Sequence, residues 1–336
     1  MNSNVAIIIV NWNGAKYLPR CLDALGRQTF TDFEILVVDN GSTDGSVDGL
    51  ERSWPGIKVV RLGKNLGFAA GNNLGARLAR GEWLALLNSD AFPAPDWLEE
   101  LLQAAQRHPE FSFFASRQLQ ANAPQLLDGA GDTLHISGLA WRRYASFPAA
   151  QFGLETEEVF SPCAAAALYS RQAFLQVGGF DENFFSYHED IDLGFRLRLQ
   201  GFRCLYVPDA VVHHVGSATL GAQSDFALYH WQRNYIWSFI QNMPSALLWQ
   251  ALPAHLLANL IHIVGYTMRG HGKVVLKAKL DALRGFSRAL QKRREIQKNC
   301  KISRAELSRS MEHGWLQPYL LGYHIRKIGQ TRSSSK

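Results

Sequence analysis

The chain of 336 residues is 47% hydrophobic and 11% aromatic, which excludes a disordered polymer and leaves room for one large domain with an appendage or for two domains. Its net charge of +6 is unevenly placed: residues 269–336 hold 17 Lys/Arg against 4 Asp/Glu, a balance of +13 that leaves −7 on residues 1–268. A basic tail on an acidic body points to an anionic partner, and no nucleic-acid motif accompanies it, so a lipid surface is expected rather than nucleic acid. Cys21, Cys163, Cys204 and Cys300 are too widely spaced for a zinc or redox motif and suit buried thiols in a reducing compartment.

Val5–Val10 is a short apolar run with no basic residues before it, which predicts a first strand and not a signal peptide. The turn Asn11-Trp12-Asn13-Gly14 follows at its C-terminal edge. Leu18, Cys21, Leu22 and Leu25 stand at helical spacing, with Gly26 as the stop. The run Phe33–Val38 reads as a strand covered on both faces. Asp39 to Ser46 then forms the loop where open α/β sheets place ligands. There Asp39 can accept from a base or ribose, Gly41 and Gly45 permit close backbone approach, and Ser42, Thr43 and Ser46 can cap a helix whose N–H groups face an anion.

Ile57–Leu62 predicts a third strand, Gly63–Asn73 a crossing into a helix ending near Gly81, and Glu82–Leu87 a fourth strand closing on Asn88-Ser89-Asp90. This alternation implies an α/β chain with a mostly parallel, Rossmann-like doubly wound sheet and helices on both faces. Pro93–Asp96 opens a helix striped by Trp97, Leu98, Leu101 and Leu102, and Phe111–Ala115 reads as a fifth strand. Residues 117–160 lose this periodicity and predict a flap or antiparallel insertion beside a site, in which Trp141, Arg142 and Arg143 either touch an acceptor or form ordinary surface. Arg171–Val177 predicts a short helix, and His188-Glu189-Asp190-Ile191-Asp192 leads into a helix carrying Leu193, Arg196, Leu197 and Leu199. Two short β-like pieces, Leu205–Val207 and Val211–His214, flank Pro208. Residues 246–266 are apolar but interrupted by Gln250, Pro253, His255, Asn259 and His262. With the basic tail behind them they predict an amphipathic helix lying in a membrane surface rather than spanning it.

Seven motifs recur here in a specific order: Ile7–Gly14, Glu34–Ser46, Asn65–Asn72, Asn88-Ser89-Asp90, Gly178–Glu182, His188-Glu189-Asp190 and His213-His214. Together, over residues 4–240, they resemble the family 2 glycosyltransferases, inverting enzymes of GT-A fold, and within them the rhamnosyltransferase-like branch. A dinucleotide oxidoreductase is disfavoured, because no G-x-G-x-x-G follows the first strand. The resemblance implies a GT-A domain over 1–240, with a nucleotide-sugar half at 1–116 and an acceptor half at 117–240. A helical, basic region at 241–336 would rest on the membrane.

Sugar transfer from a nucleoside diphosphate needs charge neutralised on the departing diphosphate and a proton removed from the acceptor hydroxyl. The resemblance implies Mg²⁺ or Mn²⁺ for the first task. Asp90 matches the last aspartate of the family's D-x-D motif, with the uncharged Asn88 in the first position, so water would complete part of the metal shell. A histidine completes the family's site. His213 and His214 point to opposite faces of a strand, so at most one can serve, and its placement favours His214. Asp190 matches the catalytic base, with Glu189 orienting the acceptor. Asp192, about 200° away round the helix, is the competitor. The same resemblance puts Asp39, Asn11, Asn13 and Asp44 at the nucleoside, and Asn65, Gly67, Asn72, Asn88 and Ser89 around ribose and sugar. It implies dTDP-rhamnose as donor and a cell-envelope glycan or lipid-linked saccharide as acceptor, on the cytoplasmic face of the plasma membrane. Donors with UDP-hexosamine or UDP-galactofuranose, and a non-catalytic nucleotide-sugar-binding protein, are the alternatives.

Overall fold

Successive residues of a strand face opposite sides, and the N-terminal strands are apolar on both, so the sheet must be covered twice. The computed structural model describes residues 4–216 and 224–314. Its first half runs β1 (Val5–Asn11), α1 (Leu18–Leu25), β2 (Phe33–Asp39), α2 (Leu50–Ser53), β3 (Ile57–Arg61), α3 (Phe68–Leu78), β4 (Trp83–Leu87), β5 (Ala91–Pro93), α4 (Trp97–Arg107) and β6 (Phe113–Gln120). Val5, Ile7 and Ile9 of β1 pack with α1 and α4 on one face, while Ala6 and Ile8 pack with α3 on the other. The strands β3-β2-β1-β4 are parallel throughout, in the order a doubly wound chain requires.

Beyond β4 the sheet turns mixed. β7 (Ala123–Ala130) pairs with β6, β8 (Asp132–Leu134) and β9 (Ala140–Arg142) form a separate two-stranded ribbon, and β10 (Glu157–Val159) forms the far edge. Residues 117–160 are thus an antiparallel insertion. β11 (Ala166–Ser170) enters antiparallel between β4 and β6. After α5 (Arg171–Gln176) and α6 (Glu189–Leu199) comes β12 (Cys204–His214), one strand where the sequence suggested two pieces. Its register against β6 shifts between Val207 and Val211, where Pro208 has no N–H to give the ladder. The three-residue β5 pairs with the end of β12, His214 opposite Ala91, which seats His214 next to the turn after β4. No periodicity argument reaches a strand that short.

The helical C-terminal region comprises α7 (Asp225–Asn242), α8 (Ser245–Met268), α9 (Gly272–Arg284), α10 (Phe286–Lys298) and α11 (Arg304–Arg309). A third core joins α6 to this region through Ile191, Phe195 and Leu199 against Phe239, Met243 and Leu247. The last stretch of the basic tail, residues 315–336, lies outside the described residues. The four cysteines are free thiols, three of them buried.

Candidate active site

The C-terminal ends of β1, β2 and β4, the start of α6 and the end of β12 converge on a cleft of ≈ 530 Å³. Of the residues singled out from sequence, Asn65, Gly67, Asn88, Ser89, Asp90, Glu189, Asp190 and His214 all line it. They come from segments far apart in the chain, which only the fold brings together.

One corner is built from Asp90 and His214. Nε2 of His214 stands 3.4 Å from Oδ1 of Asp90 and 3.5 Å from Nδ2 of Asn88. Its other ring nitrogen, Nδ1, lies 2.8 Å from Oδ2 of Asp128 on β7. A carboxylate at Nδ1 takes that N–H, which in the neutral ring leaves the Nε2 lone pair turned toward Asp90. Burial would raise the Asp128 carboxyl, but Arg142, paired with it, and His214 hold it down at about 2. Burial likewise disfavours charge on His214, yet Asp128 and Asp90 outweigh it and its pKa lies above the ordinary value. His213, on the opposite face of the strand, is lowered by burial and by Arg20. Among the described residues no set of three or more His, Cys, Asp or Glu side chains gathers as a metal cage. One carboxylate and one oriented imidazole nevertheless fit a hard cation that takes its remaining ligands from diphosphate and water.

The opposite wall holds the start of α6. Asp190 is raised by burial, against Arg142 and the N–H groups of Ile191 and Ala164, which donate to its oxygens at 2.9 and 3.4 Å. Glu189 is 6% exposed, its Oε2 has no hydrogen-bond partner among the described residues, and burial followed by the Asp190 charge pushes its pKa well above the usual range. Asp192 is committed elsewhere: Arg196 pairs with it at 2.7 Å, Asn242 donates to it at 2.7 Å, and it is wholly buried. Asp132 of β8 lines the cleft too and is raised by burial and by Asp190. Sequence reasoning passed over Asp128 and Asp132, because a lone acid in an aperiodic stretch carries no local signal. Arg142, which it did name, acts electrostatically on Asp128, Asp132 and Asp190 at once.

Between the two walls runs the segment Phe185–His188, where Phe185, Tyr187 and His188 take positive φ of 67°, 68° and 70°. Such conformations in bulky residues cost on the order of 1–3 kcal/mol each and persist only when the surroundings enforce them. Asn234 of α7 enforces them: its Nδ2 lies 3.0, 3.0 and 2.7 Å from the carbonyls of Phe184, Ser186 and Tyr187, and Arg233 donates to Asn183 and Phe184. Gly67 lies beneath, with φ +90°, and a Cβ there would stand 2.5 Å from the Phe185 carbonyl oxygen.

The remaining sequence candidates, Asn11, Asn13, Asp39, Asp44 and Asn72, are not among the residues that line the cleft, though Asn11, Asn13 and Asp39 adjoin in sequence Val10, Trp12 and Asn40, which do. Asn11 donates to Ser42 at 3.1 Å and Ser46 at 2.8 Å, Asn13 accepts from the Thr43 N–H at 2.8 Å, and Asp44 accepts from Ala15 at 2.8 Å. These bonds tie the loop after β1 to the loop after β2. Asp39, 5% exposed, accepts from the Ser42 N–H at 3.2 Å, and its neighbour Asn40 lines the cleft. Asn40 donates to Asn65 at 2.9 Å and accepts from the Leu66 N–H at 2.8 Å, so it shapes the donor-side loop, a role not apparent in the sequence. Asn72 donates to the Phe68 carbonyl one turn earlier on α3.

A mixed sheet of this order with carboxylates at its C-terminal edge defines a GT-A type fold. The model of Glycosyl transferase family 2 matches residues 6–178, about half the chain. An N-acetylglucosaminyl-diphospho-decaprenol L-rhamnosyltransferase of Mycobacterium tuberculosis is 31% identical over 265 residues, 70% of this chain and 84% of the relative. Two solved structures share the fold. S. aureus TarS 1–349 in complex with UDP-GlcNAc has a TM-score of 0.57 at 17% identity, covering 88% of both chains. The mannosyltransferase PcManGT from Pyrobaculum calidifontis, in complex with GDP-Man and Mn²⁺, has a TM-score of 0.55 at 17% identity, covering 91% of this chain and 85% of that one. The chain belongs to glycosyltransferase family 2, in its rhamnosyltransferase-like branch, and is a glycosyltransferase.

Proposed function

We propose that the protein transfers L-rhamnose from dTDP-rhamnose, with inversion, to a hydroxyl of a lipid-linked saccharide or cell-envelope glycan. The observation that carries the chemistry is that Asp190 and the Asp90–His214 pair line one cleft. The sugar and the acceptor class rest on the mycobacterial relative, whose name specifies a rhamnosyltransferase acting on a diphospho-decaprenol saccharide. Asp39, with the loops braced by Asn11, Asn13 and Asp44, holds the nucleoside. Asn65, Gly67, Asn88 and Ser89 border ribose and sugar, with Asn72 supporting α3 behind them. Mg²⁺ or Mn²⁺ on Asp90 and His214 would offset the charge of the departing diphosphate. Asp190 accepts the proton of the incoming hydroxyl. Its raised pKa suits a group that must hold that proton while the bond to the sugar forms. Glu189, whose carboxyl burial pushes well above the usual range, orients the acceptor.

Residues 1–240 are the catalytic domain, with donor half 1–116 and acceptor half 117–240, and residues 241–336 hold it on the anionic inner face of the plasma membrane. The +13 balance of the tail supports that placement. Purified protein given a panel of dTDP- and UDP-sugars tests the donor. The Asp190→Asn variant should lose transfer by about 10²–10⁴-fold while still binding the nucleotide sugar. Full turnover by that variant would remove Asp190 as base, and turnover with a UDP-hexosamine or UDP-galactofuranose instead of dTDP-rhamnose would replace the donor.

A further inference from the structure

Among the described residues 15 large apolar side chains are exposed, and 11 of them lie between Trp249 and Phe286, so the apolar surface of this protein is gathered on α8, α9 and the start of α10. α8 is inside out. Trp249, Leu256, Leu257, Leu260, Ile261, Val264 and Met268 recur every three or four residues on its exposed side. Of the residues that interrupt its sequence, His255, Asn259 and His262 face the protein, while Gln250 and Pro253 are exposed. His255 is 4% exposed with Nδ1 2.8 Å from the Ser137 carbonyl, Asn259 donates to the Tyr235 hydroxyl at 3.0 Å, and the His262 ring lies 5.2 Å from that of Trp231. Burial holds both histidines at about 4, hence neutral. The helix is long and apolar enough to cross a membrane by length and composition. Its polar side, however, meets Trp231, Tyr235 and Phe239 of α7, and α9 packs on both helices, so crossing would take Lys279 and Arg233 into hydrocarbon with it.

α9 continues the pattern. Leu276, Leu280 and Leu283 form an exposed apolar row, and Lys273, Lys277 and Arg284 form an exposed basic row about 70° round the same helix. α8 carries no acidic residue, and the one on α9, Asp281, is engaged by Tyr229 at 2.8 Å and Arg284 at 2.7 Å. Two copies meeting through this surface would oppose basic rows without compensating acids. Anionic head groups complement them.

We infer that the outer faces of α8 and α9 form a two-helix platform that embeds in one leaflet of an anionic bilayer, with α8 in the plane of the interface and the Lys273–Lys277–Arg284 row at head-group level. The inference rests on the membrane part of the proposed function and adds which surface enters the lipid. It also places the lipid next to the acceptor side of the cleft, because Trp231 of α7 both lines the cleft and touches α8.

The test is flotation of the full chain with vesicles of phosphatidylcholine alone or mixed with phosphatidylglycerol. The chain should float with the mixed vesicles, and Leu257→Glu with Leu260→Glu should cut the bound fraction about tenfold, since charge on the embedded face forfeits apolar burial. Lys273→Glu with Lys277→Glu should weaken binding to the mixed vesicles alone. Circular dichroism and transfer to a water-soluble acceptor, read without vesicles, show that the variants are folded. Wild-type binding that the leucine variant retains in full would overturn the platform while leaving a lipid-binding basic tail. A chain that binds no vesicle, and forms a dimer that the leucine variant dissolves, would assign the face to a second copy.

Discussion

Asp128 is a sharp test of the metal corner, because it does not line the cleft and reaches that corner through the His214 ring, while also pairing with Arg142. In the native site its Oδ2 accepts from Nδ1 of His214 at 2.8 Å, and the other ring nitrogen faces Asp90 at 3.4 Å. Asp128→Asn keeps the shape but replaces an obligatory acceptor with an amide that can donate. When it donates to Nδ1, the proton moves to Nε2 and points into the space a cation needs. Loss of such an orienting carboxylate weakens metal affinity by about 10–100-fold, roughly 1.4–2.7 kcal/mol. Titration of Mn²⁺ followed by electron paramagnetic resonance should show that shift in the absence of donor. Transfer should fall at limiting Mn²⁺ and recover in large part at saturating Mn²⁺. An unchanged Mn²⁺ affinity would refute the assignment of His214 as a ligand oriented by Asp128, whereas a loss of transfer that no concentration of Mn²⁺ relieves would trace to Arg142, which pairs with Asp128 and acts on Asp190.

Two further outcomes follow from the geometry. Gly67→Ala should lower the melting temperature by several degrees and reduce kcat/KM, since φ of +90° costs an alanine about 1–3 kcal/mol and its Cβ would press on the Phe185 carbonyl; a melting temperature within about one degree of wild type would refute the strain. Lys279, 9% exposed, donates to the Gln232 carbonyl at 3.2 Å, and burial lowers its pKa to about 7. Between that value and the unfolded pKa of about 10.4 the unfolded chain keeps a proton the folded chain has released, so stability rises with pH by at most about 1.4 kcal/mol per unit. Urea unfolding of Lys279→Met across this range should show that component gone, and an identical pH slope in the two proteins would mean the lysine stays charged when folded.

The α/β alternation was legible because strands buried on both faces must be continuously apolar. β1, β2 and β4 therefore announce themselves in Val5–Val10, Ile35–Val38 and the apolar stretch before Asn88. The site residues at their ends were legible for a related reason, since an abrupt change from aliphatic residues to amides, acids and glycines marks the edge of a sheet. What stayed hidden is whatever depends on contacts between distant segments. Asp128 and Asn234 belong to none of the seven motifs, Asn40 stands inside one without its role showing, and each matters through a partner roughly 25 to 90 residues away. The separation of Asp190 from Asp192 was decided by tertiary structure as well: the two differ by half a helical turn, and only the presence of Arg196 and Asn242 on one side fills that side.

α8 shows the same division most plainly. Composition alone determines that residues 245–268 are apolar with polar interruptions, and the basic tail behind them is equally visible. Which side of the helix meets the protein is not encoded in that pattern, since an amphipathic helix can bury either face according to what lies against it. The neighbours on α7 and the loop at Ser137 offer carbonyls, a hydroxyl and rings, so His255, Asn259 and His262 turn inward and Leu256, Leu257 and Leu260 are left outside. Local sequence sets the periodicity of an element, whereas its orientation is a difference in free energy between two packings and exists only once the rest of the chain is in place.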